Sequence, residues 1–128
     1  MAVDLDMNVL IVDDFDSMLD VMRKLLRRLN FRNIDQARDG AEALKKLKAG
    51  KFGLVISDWN MEPMDGVELY AKVRADENLK HLPFVMVTAE TQWSKLARAE
   101  EAGIEHYLFK PVTEEHLKQK LASVLGDF

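Results

Sequence analysis

Val9-Leu10-Ile11-Val12-Asp13-Asp14 is the stretch on which the reading of the chain turns. Four apolar residues run without a polar break, three of them β-branched. That suits a strand covered on both faces, since no alternation toward water remains. Such a strand needs helices on either side, and the aspartates mark its end. The plan then recurs. Leu54-Val55-Ile56 leads to Asp58, Phe84-Val85-Met86-Val87 to Thr88, and Tyr107-Leu108-Phe109 to Lys110-Pro111. Ile34 to Arg38 mixes apolar with polar residues, as a strand at a sheet edge would.

Between these runs the apolar spacing becomes helical. Met18, Val21, Met22, Leu25, Leu26 and Leu29 predict a first helix with those residues inward. Arg23, Lys24, Arg27 and Arg28 fall off that stripe, in the half where the helix dipole favours cations. Asp39-Gly40-Ala41-Glu42 resembles a capping box and opens a helix through Ala43, Leu44 and Leu47 that stops near Gly50. Asp65 with Glu68 can cap a third helix carrying Leu69, Tyr70 and Val73. A fourth is predicted from about Thr91 to Ala102, closed by Gly103. Thr113 opens a fifth, with Leu117, Leu121, Val124 and Leu125 inward. Five βα units predict an α/β fold: a flavodoxin-like, doubly wound, five-stranded parallel sheet of order 2-1-3-4-5 with five helices. In such sheets ligands bind beyond the carboxyl ends of the strands, at the switch point beside strand 1.

Bulk properties narrow the function. The chain has 128 residues, 48% hydrophobic and 31% charged, which fits one globular domain rather than a disordered segment. Eighteen basic against twenty-two acidic residues give a net charge of −4, so no general attraction to nucleic-acid phosphates is expected. No apolar run reaches the ~18 residues of a membrane span, and Met1 to Asp6 carries no secretory pattern. The absence of cysteine excludes disulfides and thiolate metal sites and fits a cytoplasmic protein. His81, His106 and His116 show no metal spacing.

Four of the five strands end in a chemically useful side chain: Asp13-Asp14, Asp58, Thr88 and Lys110. Each has an ordinary reading alone. An Asp pair caps a helix, a threonine ends a strand, and a lysine dresses a surface. Together they ask for more. If strands 1 and 3 are neighbours, three carboxylates converge, repel one another and call for a divalent cation. All-oxygen ligands select a hard ion such as Mg²⁺. An ammonium and a hydroxyl beside the carboxylates complete a cradle for a phosphoryl group, with Asp58 as an oxygen nucleophile.

Val9 to Phe15, Ala37-Arg38-Asp39-Gly40, Ile56-Ser57-Asp58-Trp59-Asn60-Met61, Met64-Asp65-Gly66, Val87-Thr88-Ala89-Glu90 and Lys110-Pro111 resemble the receiver domains of two-component response regulators. Asp58-Trp59-Asn60-Met61, Thr88-Ala89-Glu90 and Tyr107, three places before Lys110, are most similar to the chemotaxis regulators of that family. The resemblance implies one receiver domain over residues 1–128 without an output domain, not an enzyme but a signalling switch that catalyses its own phosphotransfer and dephosphorylation. It implies that Asp58 accepts phosphate from a chemotaxis-type histidine kinase. Asp14, Asp58 and the Asn60 backbone carbonyl would ligate Mg²⁺, with Asp13 acting mostly through water. Thr88 would move toward the phosphoryl group, Tyr107 would turn inward, and Lys110-Pro111 would be cis. Asn60 and Glu90 would tune removal of the phosphate by water or a phosphatase. Glu62 stands where the family commonly has proline, and it is expected in solvent, with the metal's water shell the alternative. The implied output is the face of the fourth helix, fifth strand and fifth helix, here Trp93, Tyr107 and Lys120, binding the flagellar motor switch as a monomer.

Other readings start from the same residues. A phosphate sink or relay intermediate would use the same site. A haloacid-dehalogenase-type phosphatase would use Asp14-Phe15-Asp16, but Met18 stands where that motif expects Thr or Val. A flavin mononucleotide carrier needs a glycine- and hydroxyl-rich loop where this chain has Asp13-Asp14-Phe15-Asp16.

Overall fold

The computed structural model describes residues 3–89 and 93–126, the side chains of residues 93–96 excepted. Strand and helix alternate as β1 (Asn8–Val12), α1 (Asp16–Arg28), β2 (Asn33–Ala37), α2 (Gly40–Ala49), β3 (Leu54–Asp58), α3 (Gly66–Ala75), β4 (Phe84–Thr88), α4 (Trp93–Glu101), β5 (Tyr107–Phe109) and α5 (Glu114–Leu125). All pairings are parallel, in the predicted order β2-β1-β3-β4-β5.

The apolar strands explain the two layers of helix. Val9, Ile11, Leu54, Ile56, Val85 and Val87 meet α1 and α5 on one face, chiefly Leu19, Leu26, Leu117 and Leu121. Leu10, Val12, Val55, Phe84 and Met86 meet α2 and α3 on the other, chiefly Ala43, Leu47, Leu69 and Val73. Each such side chain contributes about 1.5–3 kcal/mol on burial, so this two-sided packing is what fixes the strand ends in space.

The inward face of α1 matches expectation at Met22, Leu26 and Leu29 and differs at Leu19 and Val21. Leu19, Met22 and Leu26 are its buried residues, whereas Val21 is 43% exposed. Leu19 lies at helical spacing before Met22 and Leu26 and so shares their face, whereas Val21 stands a step further round the helix. The caps follow the sequence more closely. Asp39 accepts the Glu42 N–H at 2.8 Å, Asp65 the Glu68 N–H at 2.8 Å, and Thr113 the His116 N–H at 3.1 Å. Glu42 reaches back to the Arg38 N–H rather than to its cap residue. Gly103 has φ +88°, the left-handed geometry that lets the chain turn after α4.

The edge strand β2 is closed by side chains. Arg23 donates to the Ile34 carbonyl at 3.1 Å, and Lys46 donates to that of Gln36. Covering these outward groups discourages a foreign strand from pairing there.

Candidate functional site

Burying a polar side chain costs free energy unless it is paired. Among the described residues, Asp13, Ser57, Asp58 and Thr88 are buried polar side chains, and all stand at the carboxyl ends of β1, β3 and β4. The sheet therefore gathers its buried polarity at one place, beside the switch point.

Asp58 closes β3, and its Oδ1 lies 2.9 Å from Lys110 Nζ. The same ammonium is 3.9 Å from Asp13 Oδ2. Lys110 is positioned by its own backbone, whose N–H donates to the Thr88 carbonyl at 2.9 Å, and its peptide bond to Pro111 is cis. Asp13 is held at both ends: its N–H donates to the Ala37 carbonyl at 3.1 Å, and its Oδ1 accepts the Phe15 N–H at 3.0 Å. Carboxylate oxygens of Asp13, Asp14 and Asp58 lie within 4.8 Å of one another. Thr88 is fully buried at the end of β4.

The electrostatics show strain of charge. Burial pushes the Asp13 carboxyl up to about 6; the Phe15 N–H opposes this and the nearby Asp58 charge adds to it. Asp58 is raised too, by burial above all, against the hydrogen bond from Lys110. One ammonium thus faces three carboxylates. An all-oxygen set with this excess of negative charge fits a hard divalent cation.

That excess has a consequence for stability. Asp13 binds its proton more tightly folded than unfolded. Its contribution is therefore present in full below about pH 4 and is lost as pH rises through about 6. The shift from 3.8 to about 6 corresponds to about 3 kcal/mol at most. Thermal melts in a chelator should show a lower Tm at pH 7.5 than at pH 5. Mg²⁺ should raise Tm more at pH 7.5 than at pH 5. Equal effects of the ion at both pH values would separate it from these carboxylates.

The other predicted residues are more scattered. Asn60 and Glu62 are exposed, so Glu62 takes the solvent position expected, and its peptide bond to Pro63 is cis. Tyr107 is half-buried and donates to the Ile104 carbonyl at 2.9 Å. Lys120 lines, with Tyr107, Phe109, Lys110 and His116, a groove of about 600 Å³ between β5 and α5. Glu90 and the Trp93 side chain lie outside the described residues. Asp16 turns to Arg38 at 2.9 Å, and both side chains are more than half exposed. That gives no support to Asp14-Phe15-Asp16 as a phosphatase pair. Among the described residues no helix is long and apolar enough to cross a membrane.

Two contributors escaped the sequence reading. Ser57, fully buried, donates from Oγ to the Asp58 carbonyl at 2.9 Å. Its signal was a lone hydroxyl inside an apolar strand, one residue before the key carboxylate. Gly66 was visible only as part of a motif. A Cβ there would stand 2.4 Å from the Asp58 carbonyl oxygen, and its N–H donates to the Trp59 carbonyl at 2.9 Å. The start of α3 is thereby pressed onto the end of β3. Trp59 itself is buried, in the core cluster to which α2 and α3 also contribute.

Known proteins resemble this chain over nearly its whole length. Residues 9–122 match the response regulator receiver domain family. The chain is 46% identical over 119 residues to chemotaxis protein CheY-3 of Vibrio cholerae serotype O1, covering 93% of this chain and 92% of that protein. It is likewise 46% identical over 118 residues to chemotaxis protein CheY of Pseudomonas aeruginosa, covering 92% and 95%. The solved structure of chemotaxis response regulator CheY4 of Vibrio cholerae superposes with a TM-score of 0.84 at 34% identity, over 94% of this chain and 99% of that one. A two-component response regulator from Clostridium difficile gives 0.82 at 26% identity, over 94% and 96%. With family, fold and strand-end carboxylates in agreement, the chain belongs to the response regulator receiver domains, among their CheY-like chemotaxis members.

Proposed function

We propose that this receiver is a phosphorylation-activated switch. Asp58 accepts a phosphoryl group from a chemotaxis-type histidine kinase, and the modified protein binds the flagellar motor switch. The observation that carries the chemistry is Lys110 Nζ at 2.9 Å from a buried Asp58 within a group of three carboxylates. An Asp58 oxygen attacks phosphorus in line, its bond to phosphorus forms as the donor's breaks, and the donor leaves with the bonding electrons. Lys110 neutralises charge on the transferred group, and Thr88 donates a hydrogen bond to it. Asp13, Asp14, Asp58 and the Asn60 carbonyl would hold Mg²⁺, which when bound supplies further charge neutralisation for the phosphoryl oxygens. Asn60, Glu62 and Glu90 tune how fast water or a phosphatase removes the group.

The motor reading draws on the chemotaxis names of the relatives at 46% identity. The protein would act in the cytoplasm as a monomer and a single receiver domain. Its output would run through the α4–β5–α5 face, with Trp93, Tyr107 and Lys120 as its contact residues. A phosphoryl group adds about −1.5 to −2 charges and draws Thr88 and Lys110 toward it. Partner binding then reports whichever of two arrangements of that face is favoured.

Lys110→Ala should slow labelling, so its response is compared with the parent protein's at equal phosphoryl content, read by intact mass. The variant should still bind Mg²⁺, because an ammonium holds no cation. Capture on immobilised motor switch protein should rise about tenfold with an acyl phosphate for the parent protein, and it should stay flat for Lys110→Ala. A normal rise in the variant would remove Lys110 from the switch.

A further inference from the structure

Four strand ends enter the chemistry above, and the fifth belongs to β2. Its chain continues from Ala37, which pairs with Val12 of β1, into Arg38. Across the sheet order the residues at the carboxyl ends read Arg38, Asp13-Asp14, Asp58, Thr88 and Lys110. The carboxylates are thus flanked by one cation on the β5 side and another on the β2 side. The two differ in state. Lys110 is largely buried and already committed to Asp58 at 2.9 Å and Asp13 at 3.9 Å. Arg38 stands on the outer rim, its side chain 58% exposed and its guanidinium resting on Asp16, whose side chain is 67% exposed, at 2.9 Å.

An ion pair between two such exposed groups is weakly held, because water competes for both and salt screens them. A small phosphodonor is a multiply charged anion that must approach three carboxylates. Its phosphate oxygens match the planar donor fork of a guanidinium better than one exposed carboxylate does.

We propose that Arg38 is a specificity-determining residue for the phosphodonor, leaving Asp16 to pair with an anionic phosphoryl compound as it enters the cleft. This rests on Asp58 being the acceptor. In the step served, an Asp58 carboxylate oxygen attacks the phosphorus of an acyl phosphate, the P–O bond to the acyl group breaks, and a carboxylate leaves with that electron pair. No proton or external electron is needed. Arg38 touches the donor, not Asp58, so it acts on capture.

The test is the initial rate of phosphoryl gain by intact mass, with acetyl phosphate or phosphoramidate as donor, in low and high salt with saturating Mg²⁺. Arg38→Ala should slow labelling by acetyl phosphate roughly threefold in low salt, chiefly through KM, and Arg38→Lys should recover part of the loss. Asp16→Asn should speed it, because it frees the guanidinium. Phosphoramidate, which carries less net negative charge, should respond less, and salt near 0.5 M should compress every difference. Circular dichroism melts identify any variant that is simply unfolded, in which case Arg38→Lys and Asp16→Asn carry the comparison. Equal slowing by Arg38→Ala and Asp16→Asn would show that the pair only braces α1 against β2, and unchanged rates would equally overturn the proposal. If the parent protein gains no phosphoryl group, the acceptor reading itself falls. A labelled parent with unresponsive variants sinks only the role of Arg38.

Discussion

Incubated with an acyl phosphate and Mg²⁺, the protein should gain one phosphoryl unit in intact mass, and Asp58→Ala should gain none. Three carboxylates lie close enough to compete for the role, and their surroundings rank them. Lys110 Nζ is 2.9 Å from Asp58 and 3.9 Å from Asp13, so charge on a transferred group is best neutralised at Asp58. Asp13 spends Oδ1 on the Phe15 N–H. Asp14 is exposed and leaves its charge to solvent. The substitution also relieves repulsion among the carboxylates while Lys110 keeps Asp13 as partner. The variant should therefore stay folded, and loss of labelling can be read as loss of the nucleophile. Continued labelling of Asp58→Ala would move the chemistry to a neighbouring carboxylate.

Gly66→Ala should cost about 3 kcal/mol, roughly 10 °C in Tm, although alanine is the better helix former. The added Cβ would lie 2.4 Å from the Asp58 carbonyl oxygen and 2.7 Å from Met86 Sδ. Met86 could yield; the backbone oxygen at the end of β3 could not without moving the acceptor. Helix propensity returns less than about 1 kcal/mol, so the clash wins. Labelling of whatever protein remains folded should slow as well, since Asp58 moves relative to Lys110. Gly50→Ala is the control, because the nearest atom there is the edge of the Phe52 ring at 3.3 Å. Equal melting of both variants with the parent would show that α3 does not press on β3.

What could be read from the sequence was whatever local periodicity and spacing determine. The two-sided strands, their order and the Asp39, Asp65 and Thr113 caps depend on neighbouring residues or on general rules of chain crossing. On α1 the inward Met22, Leu26 and Leu29 were legible, but Leu19 was not, because Val21 fits the apolar spacing as well and yet is 43% exposed. Only the tertiary fit with α5 and the sheet decides between them. Contacts across large separations were also silent. Arg98 reaches Asp65, the cap of α3, at 3.3 Å, and Tyr70 donates to the Gly103 carbonyl at 2.8 Å, each pair 33 residues apart. In the site, the convergence of Asp13, Asp14, Asp58, Thr88 and Lys110 was legible because strand ends in a parallel sheet share one edge. The press of Gly66 on Asp58 was not, because it depends on backbone approach rather than on side-chain chemistry.

The position of the phosphoryl group, proposed on Asp58 at the end of β3, can be measured directly. Borohydride converts an aspartyl phosphate to homoserine, a change that fragmentation of peptides locates by mass. Protein labelled with acyl phosphate and Mg²⁺, then reduced, should show homoserine at position 58 and aspartate at positions 13 and 14. Homoserine at 13 or 14, or phosphate found on a histidine or serine instead, would show that Asp58 is not the acceptor.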